Sequence, residues 1–178
     1  MEPQNAAFLR DYLVKALQGE SRAIKEVVAA VPADKPDYAP SEKCMPSLTL
    51  AWHIASSTVW FLNSVADGEF KMEDHPMPAE IKSGADVSAW YEKEFPKAVE
   101  RVQALSGEQL AKQTQFAIFP IAIVDGLTFG LSHAIHHRGQ LSAYLRPMGS
   151  KVPSIYGPSA DVSMEDIMAQ MQKHTASA

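Results

Sequence analysis

The sequence predicts an all-α protein, an up-and-down four-helix bundle with connecting loops and a short C-terminal helix. Three observations predict it. Apolar residues recur at three- and four-residue steps through the long segments, the spacing that lines one face of a helix. No segment shows the apolar–polar alternation of a half-buried strand. Most prolines gather between the periodic segments, where connections belong. At 178 residues the chain has the size of one domain. Its core is expected over about 6–157, with 158–178 as a tail.

The first helix is expected from Ala6 to Val31, on a stripe of Leu9, Leu13, Ala16, Leu17, Ile24, Val27, Val28 and Val31. The stripe is blank at Gln18-Gly19-Glu20-Ser21, so one bent helix or two would fit, and Pro32 ends it. Four prolines mark residues 32–46 as a connector. Ser47 suits the N-cap of a second helix, Leu48 to Ala66, because its hydroxyl can accept from free backbone N–H groups. That helix is apolar nearly all round and is therefore expected to be central. Its one polar line is Thr49, His53, Ser56 and Ser57.

Asp67-Gly68 closes the second helix, and residues 71–84 form a polar, proline-dotted loop. Asp86 suits the N-cap of a third helix, Val87 to Leu105, which Pro96 should kink or break by removing a hydrogen bond. Residues 106–113 suit a short helical turn. The last long helix begins near Asp125 or slightly earlier and runs to about Arg146, where Pro147 and Gly149 end it. Met164, Ile167, Met168 and Met171 then give the tail a short amphipathic helix, expected to pack on the bundle or on a dimer mate.

Composition excludes several classes of function. Hydrophobic residues make up 46% of the chain, enough for a core, so wholesale disorder is excluded. Lys and Arg number 16 against 21 Asp and Glu, a formal charge of -5, which argues against a nucleic-acid partner. A single cysteine, Cys44, leaves no internal disulfide and no thiolate-rich zinc cluster. No basic region followed by an apolar run opens the sequence, and the greasy run from Phe116 to Val124 is too short to span a bilayer, which takes about 20 residues. No membrane partner is expected, and the expected location is cytoplasmic.

Chemistry gathers at the histidines. Of six, three fall in one turn of the last helix: His133, His136 and His137. Residues four apart share a helix face, so His133 and His137 can offer ring nitrogens to one ion, with His133 and His136 a competing pair. Hydrogen-bonded core or surface histidines would show the same spacing. His53 adds weight to a metal site, since a polar ring midway along the most buried helix needs a partner. Three neutral imidazoles make a zinc shell of the catalytic type, with one position open. His75, in a loop, and His174, near the end of the chain, are assigned no role.

The run His133-Ala134-Ile135-His136-His137-Arg138-Gly139-Gln140-Leu141, then Tyr144-Leu145-Arg146 and Lys151-Val152-Pro153-Ser154-Ile155-Tyr156-Gly157, resembles the C-terminal signature of the DinB/YfiT-like superfamily. Leu50-Ala51-Trp52-His53-Ile54-Ala55 resembles its second-helix motif, and the resemblance spans about Phe8 to Gly157. It implies a four-helix bundle, often a homodimer, with a divalent metal held by His53, His133 and His137. Characterised relatives include S-transferases that use low-molecular-weight thiols such as bacillithiol, and a mycothiol-dependent isomerase.

A three-His ion can lower the pKa of a bound water to about 7 or hold a thiol as thiolate. Thiol transfer and hydrolysis are therefore the expected reactions, on a small-molecule substrate, with zinc or nickel as the ion and a low-molecular-weight thiol as the candidate cosubstrate. Gln140, one turn beyond His137, is a candidate to orient that ring. Arg138 is a candidate anchor for an anionic substrate, or else half of an ordinary surface ion pair. Cys44 lacks a visible basic partner and reads as inert, and Ser56 and Ser57 read as back-bonded to their own helix. The alternative is a non-catalytic bundle, a dimer or small-molecule binder whose histidines hold a structural or vestigial ion.

Overall fold

The computed structural model describes residues 1–72 and 74–176, with side chains at 170 and 173–176, including that of His174, outside the description. Four long helices carry the fold: α1 (Pro3–Ala29), α2 (Ser47–Asp67), α3 (Gly84–Gln103) and, after a short α4 (Gly107–Ala111) and the strands β1 (Gln113–Phe116) and β2 (Phe119–Ala122), α5 (Asp125–Leu145). A terminal α6 (Met164–Ala176) completes the order. Apolar faces of α1, α2, α3 and α5 meet in one core, with Leu17, Ile24, Leu50, Ile54, Leu62, Tyr91, Leu127 and Leu141 wholly buried. The chain is a four-helix bundle, as its apolar periodicity predicts.

Around the bundle each helix packs on two neighbours, in the order α1, α3, α2, α5. Side-chain pairings fix the directions. Gly84 at the start of α3 abuts Val28 near the end of α1, and Arg10 near the start of α1 reaches the carbonyl of Leu105, so α1 and α3 run opposite ways. Trp52 meets Trp90 edge to face while Arg101 reaches Asn63 and Asp67, so α2 and α3 run the same way. Gly130 of α5 abuts Phe61 and Gly126 abuts Val65, so α2 and α5 oppose. Two helices thus run up and two down, but without strict alternation around the ring. The reason lies in the connections: residues 30–46 cross one end diagonally, α4 with the hairpin crosses the other, and residues 68–83 must climb the full length of α2 to start α3 at the far end.

That lengthwise loop is pinned by two tryptophans. Trp60 Nε1 donates to the Lys71 carbonyl at 3.2 Å and Trp52 Nε1 to the His75 carbonyl at 3.0 Å, two helical turns apart. It becomes the outer wall of the site described below.

Several local expectations are corrected. The stretch before α5 is a two-residue hairpin, pairing Gln113 with Ala122 and Phe116 with Phe119, with Ala117 at φ 51 in its turn. Ser47 is the first residue of α2 and does not cap it; its hydroxyl donates to the carbonyls of Lys35 and Pro36 and pins the connector instead. Ser83, not Asp86, is the N-cap of α3, and the Asp86 carboxylate accepts from the Ser83 hydroxyl and the Lys82 N–H. Helix α3 continues through Pro96, which lies on the solvent side where water can satisfy the freed carbonyl. The first helix is continuous across the blank in its stripe. Met164, Met168 and Met171 are exposed, so α6 does not bury its stripe on the bundle. No helix among the described residues is long and apolar enough to cross a membrane.

Candidate metal centre

The glycines of α5 set the site. With no side chains at Gly126 and Gly130, α2 lies close against α5, and their antiparallel ladder continues upward from Val65–Gly126 and Phe61–Gly130 to Ser57–His133. One more turn of α2 brings His53 between His133 and His137, with ring centroids 4.8 and 4.6 Å away. The two α5 rings are themselves 4.3 Å apart. These three half-buried histidines form a group able to hold a metal ion, with ligating atoms all within 4.8 Å of one another.

Hydrogen bonds fix which nitrogens face inward. Ser57 Oγ donates to the His53 carbonyl, so at 3.2 Å from His133 Nδ1 it accepts, leaving the proton on Nδ1 and the lone pair on Nε2. His137 Nδ1 lies 3.0 Å from Gln140 Oε1, an oxygen that can only accept, so His137 likewise turns a bare Nε2 inward. Gln140 Nε2 in turn donates to Tyr144 Oη at 3.3 Å, which holds the amide the right way round. His53 Nε2 and His133 Nε2 are 3.1 Å apart. Two nitrogens on one tetrahedral zinc stand about 3.3 Å apart.

Electrostatics favour the same state. Burial, and then the neighbouring His137, lower the pKa of His53. Burial and the charges of His137, His53 and His136 push His133 down to about 4. Both rings are neutral at pH 7, as a ligand must be. Three nitrogen donors, two with their tautomers preset, fit a divalent ion.

A stability prediction follows for the metal-free protein. The folded His133 resists a proton that the unfolded chain accepts near 6.5, so its contribution to stability is intact above that pH and is lost as pH falls from 6.5 towards 4. Urea midpoints of chelator-treated protein should therefore fall steadily over this window, and His133→Gln should flatten the fall. An unchanged slope in that variant would contradict the assignment.

The other candidates are placed as follows. Gln140 touches His137 as described. Arg138, two per cent exposed, points away from the three rings into a pair with Glu20, its other nitrogen donating to Tyr156 Oη at 2.5 Å. His136 is exposed, its ring 4.8 Å from that of His137. Cys44 sits in the connector, where hydrogen bonds from Ser41 and then Tyr144 lower its pKa.

Sequence reasoning missed the cavity. A space of about 610 Å³ opens beside His53 and His133, walled by α2, by Phe116 of the hairpin and by Met72, Asp74, His75 and Met77 of the lengthwise loop. Its one sequence signal was the pair Trp52 and Trp60, large aromatics eight residues apart with indole N–H groups that need acceptors. The second role of Ser57, as partner to His133, was also unread: back-bonding uses its proton and leaves its lone pairs free.

The family model described as the DinB family matches residues 3–170. Among proteins of Bacillus subtilis (strain 168), the uncharacterized protein YrdA is 28% identical over 114 residues, 63% of this chain and 66% of its own length. This chain thus spans just under two thirds of YrdA. The uncharacterized protein YjoA of the same strain is 26% identical over 127 residues, 70% of this chain and 80% of its own. The crystal structure of the DinB-like YjoA superposes with a TM-score of 0.67 at 23% identity, covering 81% of this chain and 97% of that one. A DinB-like protein from Bacillus cereus gives the same score at 21% identity, with coverage of 81% and 95%. At these identities the structures speak for the fold alone.

Proposed function

The chain belongs to the DinB family, and on that premise we propose that it is a metal-dependent enzyme of thiol transfer or hydrolysis acting on a small molecule. One observation carries the reading: three imidazoles, two with inward lone pairs preset by Ser57 and Gln140, converge at the edge of a cavity of ligand size. His53, His133 and His137 would hold one divalent ion, zinc or nickel, since imidazole suits either. Held by neutral ligands, such an ion keeps its full charge and favours the deprotonated form of a thiol or water brought to it.

The remaining chemistry belongs to the chain. His53 and His133 line the cavity, so a substrate seated there meets the donor set from one side. Trp60, Phe61 and Phe116 line that side with apolar surface. No general base is assigned. A low-molecular-weight thiol as cosubstrate, a homodimer and a cytoplasmic location belong to the same proposal.

Elemental analysis tests it. Purified protein should carry about one divalent ion per chain, and His133→Ala should lose it, while His136→Ala should keep it. Full occupancy in His133→Ala would refute the site. Turnover of electrophile panels with bacillithiol, mycothiol or glutathione, abolished in the same variant, would establish the reaction class.

A further inference from the structure

The charge of the cavity wall bears on which molecule the cavity takes. The low-molecular-weight thiols of the proposed reaction differ in whether they carry carboxylates, and a protein that holds a carboxylate normally places a Lys or Arg against it. Among the described residues lining the 610 Å³ cavity there is neither. Its ionisable members are His53, His75, His133 and the single carboxylate of Asp74. Arg138, the one arginine near the histidine turn, is committed to Glu20 and Tyr156 on the other side of α5.

Apart from the hydroxyls of Thr49, Ser56 and Ser57, the rest of the wall is apolar and soft. Met45, Met72 and Met77 face Trp52, Trp60, Phe61 and Phe116 across it. Thioethers on flexible stems adapt to irregular shapes and make favourable contacts with ring edges. Aromatic faces offer area and stacking without any fixed positive charge. With no ion on the histidines, a carboxylate or sulfonate brought into such a space would lose its water, meet Asp74 and gain no lysine or arginine partner from the wall.

We propose that this cavity binds an uncharged, largely apolar molecule, and that its side chains, apart from any ion the histidines hold, discriminate against anions. The inference deepens the proposed function and rests on it for the reaction; the selectivity of the wall stands on the cavity alone. It places the electrophile, rather than an anionic thiol, in the space between α2 and the lengthwise loop.

The probes are 2-naphthol, neutral at pH 7, and 2-naphthalenesulfonate, which has the same ring system with a permanent negative charge. Calorimetric titration of both into chelator-stripped protein should show the neutral probe binding at least tenfold tighter. Met77→Lys, at a partly exposed position that tolerates a charged head group, should weaken the neutral probe and raise the affinity of the sulfonate. Equal or tighter binding of the sulfonate by the unmodified, chelator-stripped protein, or failure of both probes, overturns the inference. If both probes fail while the protein still carries its ion, the metal reading survives alone. If selectivity holds in protein that never binds an ion, the cavity survives and the enzyme reading falls.

Discussion

Glu20→Ala is expected to destabilise the protein by about 3–5 kcal/mol, because it strands a buried guanidinium without its counter-charge. Glu20 occupies the blank in the apolar stripe of α1, and the structure shows why the stripe is blank there. The carboxylate turns inward, 15% exposed, to meet Arg138 Nη1, and the Tyr156 hydroxyl donates to both of its oxygens at 3.0 Å. The Arg138 guanidinium carbon lies 5.0 Å from the centre of the Tyr156 ring. One buried ion pair, reached by the exposed Tyr156 from outside, therefore ties α1, α5 and the segment after α5 together.

The network is not complete, and that sharpens the prediction. Arg138 Nε is buried with no partner among the described residues. Wholly buried Tyr91 lies beside the pair, its hydroxyl pKa pushed up by burial. A buried pair with an unsatisfied donor is poor evidence of net stabilisation, while breaking it remains costly. The double variant Glu20→Leu/Arg138→Met should accordingly recover most of the loss and keep its metal content. Urea denaturation of both variants checks this. A loss below about 1 kcal/mol for Glu20→Ala, the range of an exposed ion pair, would show that the pair is hydrated and not buried.

The same residues mark what was legible in the sequence. The helices were legible because burial repeats with the helical period, and the three histidines because spacing of four on α5 and a polar ring within apolar α2 are both written in the chain. Arg138 was read as a substrate anchor or a surface ion pair, since a sequence does not show which side of a helix faces the core when both sides carry polar groups. Ser47 and Asp86 both look like caps, yet Pro46 and Ser83 precede the respective helices, and cap identity depends on where the backbone leaves helical angles. Strands of four residues, Gln113–Phe116 and Phe119–Ala122, are too short to carry a period. The cavity was least legible of all. It exists because residues 68–83 run along α2 instead of turning at its end, a consequence of helix directions that no single segment encodes.

Gly84→Ala provides the sharpest contrast with what helix propensity alone predicts. Gly84 is the first residue of α3, and replacing glycine by alanine in a helix ordinarily stabilises by about 0.5–1 kcal/mol. At Gly84 a Cβ would stand 2.1 Å from the Val28 carbonyl oxygen and 3.1 Å from Val31 Cβ. The first contact is with backbone of α1, which cannot rotate away as a side-chain tip can. Either the start of α3 or the end of α1 must move. Overpacking of a close-packed interface costs about 1–3 kcal/mol, so the propensity gain is overrun and a net loss of about 1 kcal/mol is expected. Gly139 of α5 is the matched control, because a Cβ there meets nothing within 4 Å. Gly139→Ala should stabilise by about 0.5–1 kcal/mol, giving thermal midpoints that shift in opposite directions for the same chemical change. Two shifts of the same sign would mean that α1 and α3 do not approach as closely as described. Because Gly84 also anchors the upper end of the loop that walls the cavity, Gly84→Ala should weaken 2-naphthol binding, and Gly139→Ala should leave it unchanged.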